Sequence, residues 1–225
     1  MIARDHRAAL KAVADAPGLD PRLPAMLAAS AAGHAHLCPR QVLGIRMGIL
    51  AGRLLGLDVP RSDKRLLVIA ETDGCAVDGL IAATGCSVGR RTLRIEDYGK
   101  VAAAFVDCRT GAAVRIVPSQ ASRLFASVYA PGESDRWRAQ LRGYQQMPDH
   151  LLLSWRWVAL RASVAALLSQ PGRRTRCRDC GEEIINEREV IREGAVLCRA
   201  CAGASYYVPR PAGWTADIDA ETGAT

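Results

Sequence analysis

A chain of 225 residues, 49% hydrophobic and 24% charged, is long enough to bury a main domain and to carry a second, smaller unit of about 30 residues. Its formal charge of +7 comes almost wholly from Arg, with Lys only at Lys11, Lys64 and Lys100, a compositional habit that does not by itself mark a nucleic-acid partner. The longest apolar region, Leu151 to Leu168, is broken by Arg156 and Arg161 and does not read as a membrane span, while Met1 to Gly18 mixes charged residues with Ala and has no uninterrupted apolar stretch of signal-peptide type, so export is not expected.

In chain order, Pro21 to Ala32 predicts a short helix and Pro39 to Leu57 a longer one with Cys38 at its N-cap. Gly44, Gly48, Gly52 and Gly56 recur every four residues in that second helix. They trace a stripe without side chains, which suits the close approach of another element. Lys64 to Thr72 is a strand whose run Leu66-Leu67-Val68-Ile69-Ala70 is apolar enough for burial on both faces. After the turn at Asp73-Gly74, a helix is expected from Cys75 to Thr84, ended by Gly85. Thr92–Ile95, Val101–Asp107 and Ala113–Val117 follow as strands, then helices over about Glu133–Gln146 and Asp149–Ser169, the latter apolar nearly all round. The pattern is an α+β domain with a mixed sheet and flanking helices, over 1–170. It is followed by a small four-cysteine zinc unit at 171–207 and a mobile tail at 208–225 rich in Pro, Gly, Ala and acidic residues.

The small unit carries the clearest chemistry. Cys177-x-x-Cys180 and Cys198-x-x-Cys201 each set two thiols on a tight knuckle, and the seventeen residues between the pairs suit a closed tetrahedral zinc site. Four Cys ligands leave no open position for substrate or activated water, so the expected role of this zinc is structural. Residues 173–201 hold seven basic and six acidic groups, so binding a dication with four thiolates leaves the unit slightly negative. That is a poor footprint for a phosphate binder.

A second set of ligand-type residues lies in the main domain. His34, His36 and Cys38 fall on alternate positions before a helix, where extended backbone points them to one side. Cys38 at a helix N-terminus is expected to have a lowered thiol pKa, and Cys75 repeats that logic at the end of a buried strand, flanked by Asp73 and Asp78. Imidazole and thiolate together suit zinc or another transition metal, so His36, Cys38 and Cys75 are the expected ligands of a second site. His34, Asp73, Asp78, Cys86 and Lys100 are expected around the pocket. A ten-residue helix from Cys75 would span ~15 Å, too far for Cys86 to share one ion with Cys75 in the same chain. Cys86 then has another role or reaches the site of a neighbouring copy. Cys108 is expected to be a core residue.

These residues resemble the FmdE family, named after formylmethanofuran dehydrogenase. The likeness runs through His34-Ala35-His36-Leu37-Cys38-Pro39, Gly44, Glu71-Thr72-Asp73-Gly74-Cys75-Ala76-Val77-Asp78, Thr84-Gly85-Cys86, Asp97-Tyr98-Gly99-Lys100 and Gly111. Cys177 to Tyr207 is similar to the fingers of the DksA/TraR group. The resemblance implies an α+β core with a His/Cys pocket that holds a metal, a treble-clef-like zinc module, and a homodimer. It also implies an accessory or regulatory role beside a molybdenum- or tungsten-type redox enzyme. The chain departs from the family at Gly33, Arg40 and Arg90-Arg91-Thr92, around the pocket's mouth. Two other readings stand: an enzyme using Cys38 or Cys75 as nucleophile or an open metal site, and a metal-responsive regulator that binds nucleic acid. A cytoplasmic protein is expected, where cysteines stay reduced for metals or chemistry.

Overall fold

The computed structural model describes residues 20–32 and 37–210, which divide into two compact units, up to Val164 and from Ala165. The first unit opens with helices α1 (Leu23–Ala31) and α2 (Pro39–Leu55), continues with strand β1 (Leu66–Ala70) and helix α3 (Ala76–Thr84), then strands β2 (Leu93–Ile95), β3 (Ala103–Asp107) and β4 (Ala113–Pro118). Short helix α4 (Ser122–Phe125), helix α5 (Arg136–Gln146), the turn of helix α6 (Asp149–Leu152) and strand β5 (Leu153–Trp157) complete it, and α7 (Val164–Leu168) stands at the division. The five strands form one sheet in the order β2-β1-β3-β4-β5, with β1 and β2 parallel and every other neighbouring pair antiparallel.

One face of this sheet builds the core. Leu66, Val68 and Ala70 of β1, Ala103 and Phe105 of β3, and Val114 and Ile116 of β4 pack in one cluster with Val42, Ile45, Ile49 and Leu50 of α2 and Leu80 of α3. The glycine stripe decides how α3 sits there. A methyl at Gly44 would lie 2.1 Å from the Ala76 carbonyl oxygen, one at Gly48 2.6 Å from Ala83 Cβ, and one at Gly79 of α3 2.2 Å from the Gln41 carbonyl oxygen. The contacts run in the same direction along both chains, so α2 and α3 are parallel and their backbones touch. Gly56 and Gly85 end the two helices at positive φ.

The region read as one helix over Asp149–Ser169 is a single helical turn, then a strand, then another short helix. Leu153-Ser154-Trp155-Arg156-Trp157 alternates with the period of a strand, and β4 offers a free edge for it: Pro118 pairs with Leu153, Ile116 with Trp155 and Val114 with Trp157. Aromatic side chains at alternate positions suit that pleated surface better than a helix. Among the described residues no helix is long and apolar enough to cross a membrane.

The second unit is built of two hairpins, β6 (Arg174–Arg176) with β7 (Glu183–Ile185) and β8 (Val190–Arg192) with β9 (Ala195–Leu197), closed by a π-helical turn at Ala200–Ala204. Among the described residues its buried apolar cluster is only Cys177, Ile184, Leu197 and Ala202, with Val190, Val196 and Cys198 against it. So small a core cannot hold a unit of this size by hydrophobic burial alone, and a metal crosslink is the ordinary remedy. The reading of Met1 to Gly18 lies outside the described residues, as does that of the tail beyond Arg210.

Candidate metal centres

In the second unit the two knuckles meet. The Sγ atoms of Cys177, Cys180, Cys198 and Cys201 all lie within 4.8 Å of one another. Cys180 Sγ stands 4.0 Å from Cys198 Sγ, close to the ~3.8 Å edge of a tetrahedron with zinc–sulfur bonds of about 2.3 Å. Backbone geometry prepares the sulfurs for negative charge. The Cys198 N–H donates to Cys177 Sγ at 3.2 Å, and the Cys201 N–H donates to Cys198 Sγ at 3.3 Å. Backbone N–H groups of Cys180 and Cys198 bring the Cys177 thiol down to about 6, while neighbouring thiols hold Cys201 well above its ordinary value. Four sulfurs this close cannot all ionise unless a cation neutralises them, which is what zinc does. The set fits a closed structural zinc site, and the fold fixes each knuckle: Gly181 N–H bonds to the Cys177 carbonyl and Cys177 N–H to the Glu182 carbonyl.

In the first unit the parallel packing of α2 and α3 brings their N-terminal ends to the carboxyl end of β1. Cys38 stands at the N-cap of α2 with extended backbone, its N–H donating to Gln41 Oε1 at 2.6 Å. Gln41, fully buried, also donates through Nε2 to the Ser30 carbonyl at 2.8 Å and so ties the N-cap to α1. Cys75 occupies the N-cap of α3. The two thiols are near enough to act on each other: burial first, then the charge of Cys38 and a hydrogen bond with it, push the Cys75 thiol up, and Asp78 adds to the effect. This corrects the expectation of a lowered pKa at Cys75. A helix N-terminus favours the thiolate, but here desolvation and two neighbouring acidic groups outweigh it.

The other expected residues fall into four groups. Asp73 and Asp78 sit on the same turn and first helical turn as Cys75, Asp73 exposed and Asp78 partly buried. Lys100 lies on the loop after β2, where its N–H and that of Tyr98 both donate to the Glu71 carbonyl at the end of β1, and its Nζ rests 6.0 Å from the centre of the Tyr98 ring. Cys86 lies beyond the opposite end of α3. Fully buried, its thiol donates to the Leu66 carbonyl oxygen at 3.4 Å, so the structure places it in the core and apart from Cys75. His34 and His36 are outside the described residues. Among the described residues no second group of three ligand-type side chains converges as the four cysteines do.

Two supporting residues are not among those expected around the pocket. Gln41 is readable in retrospect, because Cys38-x-x-Gln41 has the spacing of a capping box. Glu71 is the second: its carboxylate takes Nε and Nη2 of Arg115, each at 2.6 Å, and this pins the end of β1 on which the pocket stands. Nothing local in the sequence announces that pairing across the sheet.

Comparison with known proteins matches the sequence profile of the family described as FmdE, molybdenum formylmethanofuran dehydrogenase operon, over residues 33–154. The prokaryotic dksA/traR C4-type zinc finger matches residues 171–207. A protein of Archaeoglobus fulgidus described as a probable S-adenosyl-L-methionine-binding protein is 30% identical over 193 residues, covering 78% of this chain and 52% of its own. The chain thus spans about half the length of that curated relative. The crystal structure of a tungsten formylmethanofuran dehydrogenase FmdE-like protein from Syntrophus aciditrophicus superposes with a TM-score of 0.55 at 22% identity, covering 83% of this chain and 95% of that one. That likeness shows a shared fold.

Proposed function

The chain belongs to the FmdE family, and from that premise we propose that it is a metal-binding accessory or regulatory protein of a molybdenum- or tungsten-type redox system. In this reading the finger holds a structural zinc, and the core holds a second zinc or other transition metal on Cys38 and Cys75. The observation that carries it is the meeting of these two cysteines at the N-terminal ends of two helices locked together by glycine. His36, close to Cys38 in the chain, is the further ligand proposed, with His34 and Asp78 at the pocket's edge. When bound, the metal would supply the positive charge that lets both thiols ionise side by side.

A nucleophilic Cys75 fits less well, because burial and its acidic neighbours favour the neutral thiol. Nucleic-acid binding through the finger is disfavoured by its near-neutral charge. The proposed assembly is a homodimer. Metal analysis of the purified full chain tests the central point: two ions per chain are expected, falling to one in the Cys38→Ser, Cys75→Ser double variant. One ion per chain in both proteins sinks the core site.

A further inference from the structure

The last turns of α2, the residues 57–59 that follow them and the start of α1 bound a cavity of about 200 Å³, whose walls include Arg22, Ile49, Arg53, Leu57, Asp58 and Val59. It lies at the C-terminal end of α2, ~25 Å along the helix from Cys38, and so is separate from the two core thiols. Sites for drug-sized ligands occupy ~300–1,000 Å³, so this one suits a smaller molecule. Its polar groups are of both signs and are not all satisfied. Asp149 is shared by Arg46 and Arg53, two cations on one carboxylate, which leaves positive charge in surplus. Among the described residues Arg53 has no hydrogen-bond partner but Asp149, and its Nε is shut off from solvent with nothing to receive its proton. A buried donor in that state is destabilising until an acceptor reaches it. Arg22 is fixed beside it, with Nε and Nη2 on the Asp20 carboxylate at 2.9 and 2.7 Å and Nη1 on the Val59 carbonyl. Asp58 supplies the opposite sign. It is exposed and among the described residues forms no ion pair or hydrogen bond, although it feels the charges of Arg22 and Arg61, which other carboxylates already hold. The end of a 17-residue helix adds the negative pole of its macrodipole there.

We infer that this cavity binds a small zwitterion of the amino-acid class, its carboxylate on Arg53 and its ammonium toward Asp58 and the helix end. A simple anion gains the Arg53 donors but meets Asp58, whereas a simple cation gains Asp58 but meets two guanidinium groups. A molecule with both charges satisfies both. Ile49, Leu57 and Val59 are buried and give the site an apolar wall, which suits an aliphatic side chain between the charged groups and the core. The site needs no metal and stands apart from the proposed role of Cys38 and Cys75.

Calorimetric titration of the full chain with probes of one carbon skeleton tests this: L-leucine, 3-methylbutylamine, which lacks the carboxylate, and 4-methylpentanoate, which lacks the ammonium. Saturable binding of L-leucine is expected, about tenfold or more tighter than that of either analogue. Asp58→Asn, at an exposed position without a hydrogen bond, keeps the fold and is expected to weaken L-leucine about tenfold without weakening 4-methylpentanoate. Arg53→Gln is expected to weaken both carboxylates and to spare the amine. Absence of saturable L-leucine binding in the wild type, an analogue bound as tightly as L-leucine, or undiminished L-leucine binding in Asp58→Asn overturns the inference. Since none of these readings involves metal content, each leaves the proposed core metal site standing.

Discussion

At the scale of single residues, side chains in this protein are charged or neutral according to what surrounds them. Arg46 is 6% exposed, yet it lies inside the apolar helix α2. It is tolerated because its guanidinium caps the end of α5, donating to the carbonyls of Tyr144 at 2.9 Å and Met147 at 2.7 Å, and to Asp149 Oδ1 at 2.7 Å. Arg53, about two turns further along the helix, takes the other oxygen of Asp149. Removing the buried cation leaves these acceptors unpaired, so Arg46→Met is expected to cost ~3 kcal/mol or more in urea unfolding; a loss under about 1 kcal/mol would contradict this account. Asp107 gives the pH dependence. Hydrogen bonds from Arg65 at 3.0 and 2.9 Å, with one from the Arg109 N–H, hold its carboxyl below the usual carboxylate range. A lowered value means that the contribution is present above the unfolded-state pKa of ~3.9 and is lost as the pH falls through the folded one. The stability gap between wild type and Asp107→Asn is therefore expected to narrow steadily below about pH 4, and a gap that stays constant to about pH 2 would refute it. In the metal-free protein Cys75 is expected to alkylate slowly at about pH 7 and to speed up only above the ordinary thiol range.

At the scale of elements, the interface between α2 and α3 decides where Cys38 and Cys75 stand. Gly44→Ala would drive a methyl into the Ala76 carbonyl, so it is expected to destabilise the protein by ~1–3 kcal/mol and to lower metal retention at the core site; unchanged retention would show that the helix spacing does not set the pair. Much of this is legible in the sequence. The four-residue recurrence of glycine announces a close approach, and the apolar run of β1 announces a buried strand, because both patterns are local. Leu153 to Trp157 reads as helix in the sequence for a matching reason: the surrounding apolar residues hide its alternation, and its strand form depends on pairing with β4, 35 or more residues earlier in the chain. The anchoring of Arg46 some hundred residues downstream has no local signature at all.

At the scale of the whole molecule, the two units answer to different forces. The first buries a continuous core of apolar helices and sheet, whereas among the described residues the second has a buried cluster of only four, Cys177 among them, beside its group of four thiols. Chelation is accordingly expected to release amide protection across Arg174 to Ala204 while β1, β3 and β4 stay protected in hydrogen exchange; loss of protection in both would contradict this division. The finger's four cysteines are fully legible because spacing alone defines that site. The core pair is legible in its residues but not in its electrostatics, which depend on how two helices meet. The most direct test of the account is metal content measured on the full chain and on its Cys38→Ser, Cys75→Ser variant. Two ions per chain falling to one is the result predicted, and one ion per chain in both would contradict it.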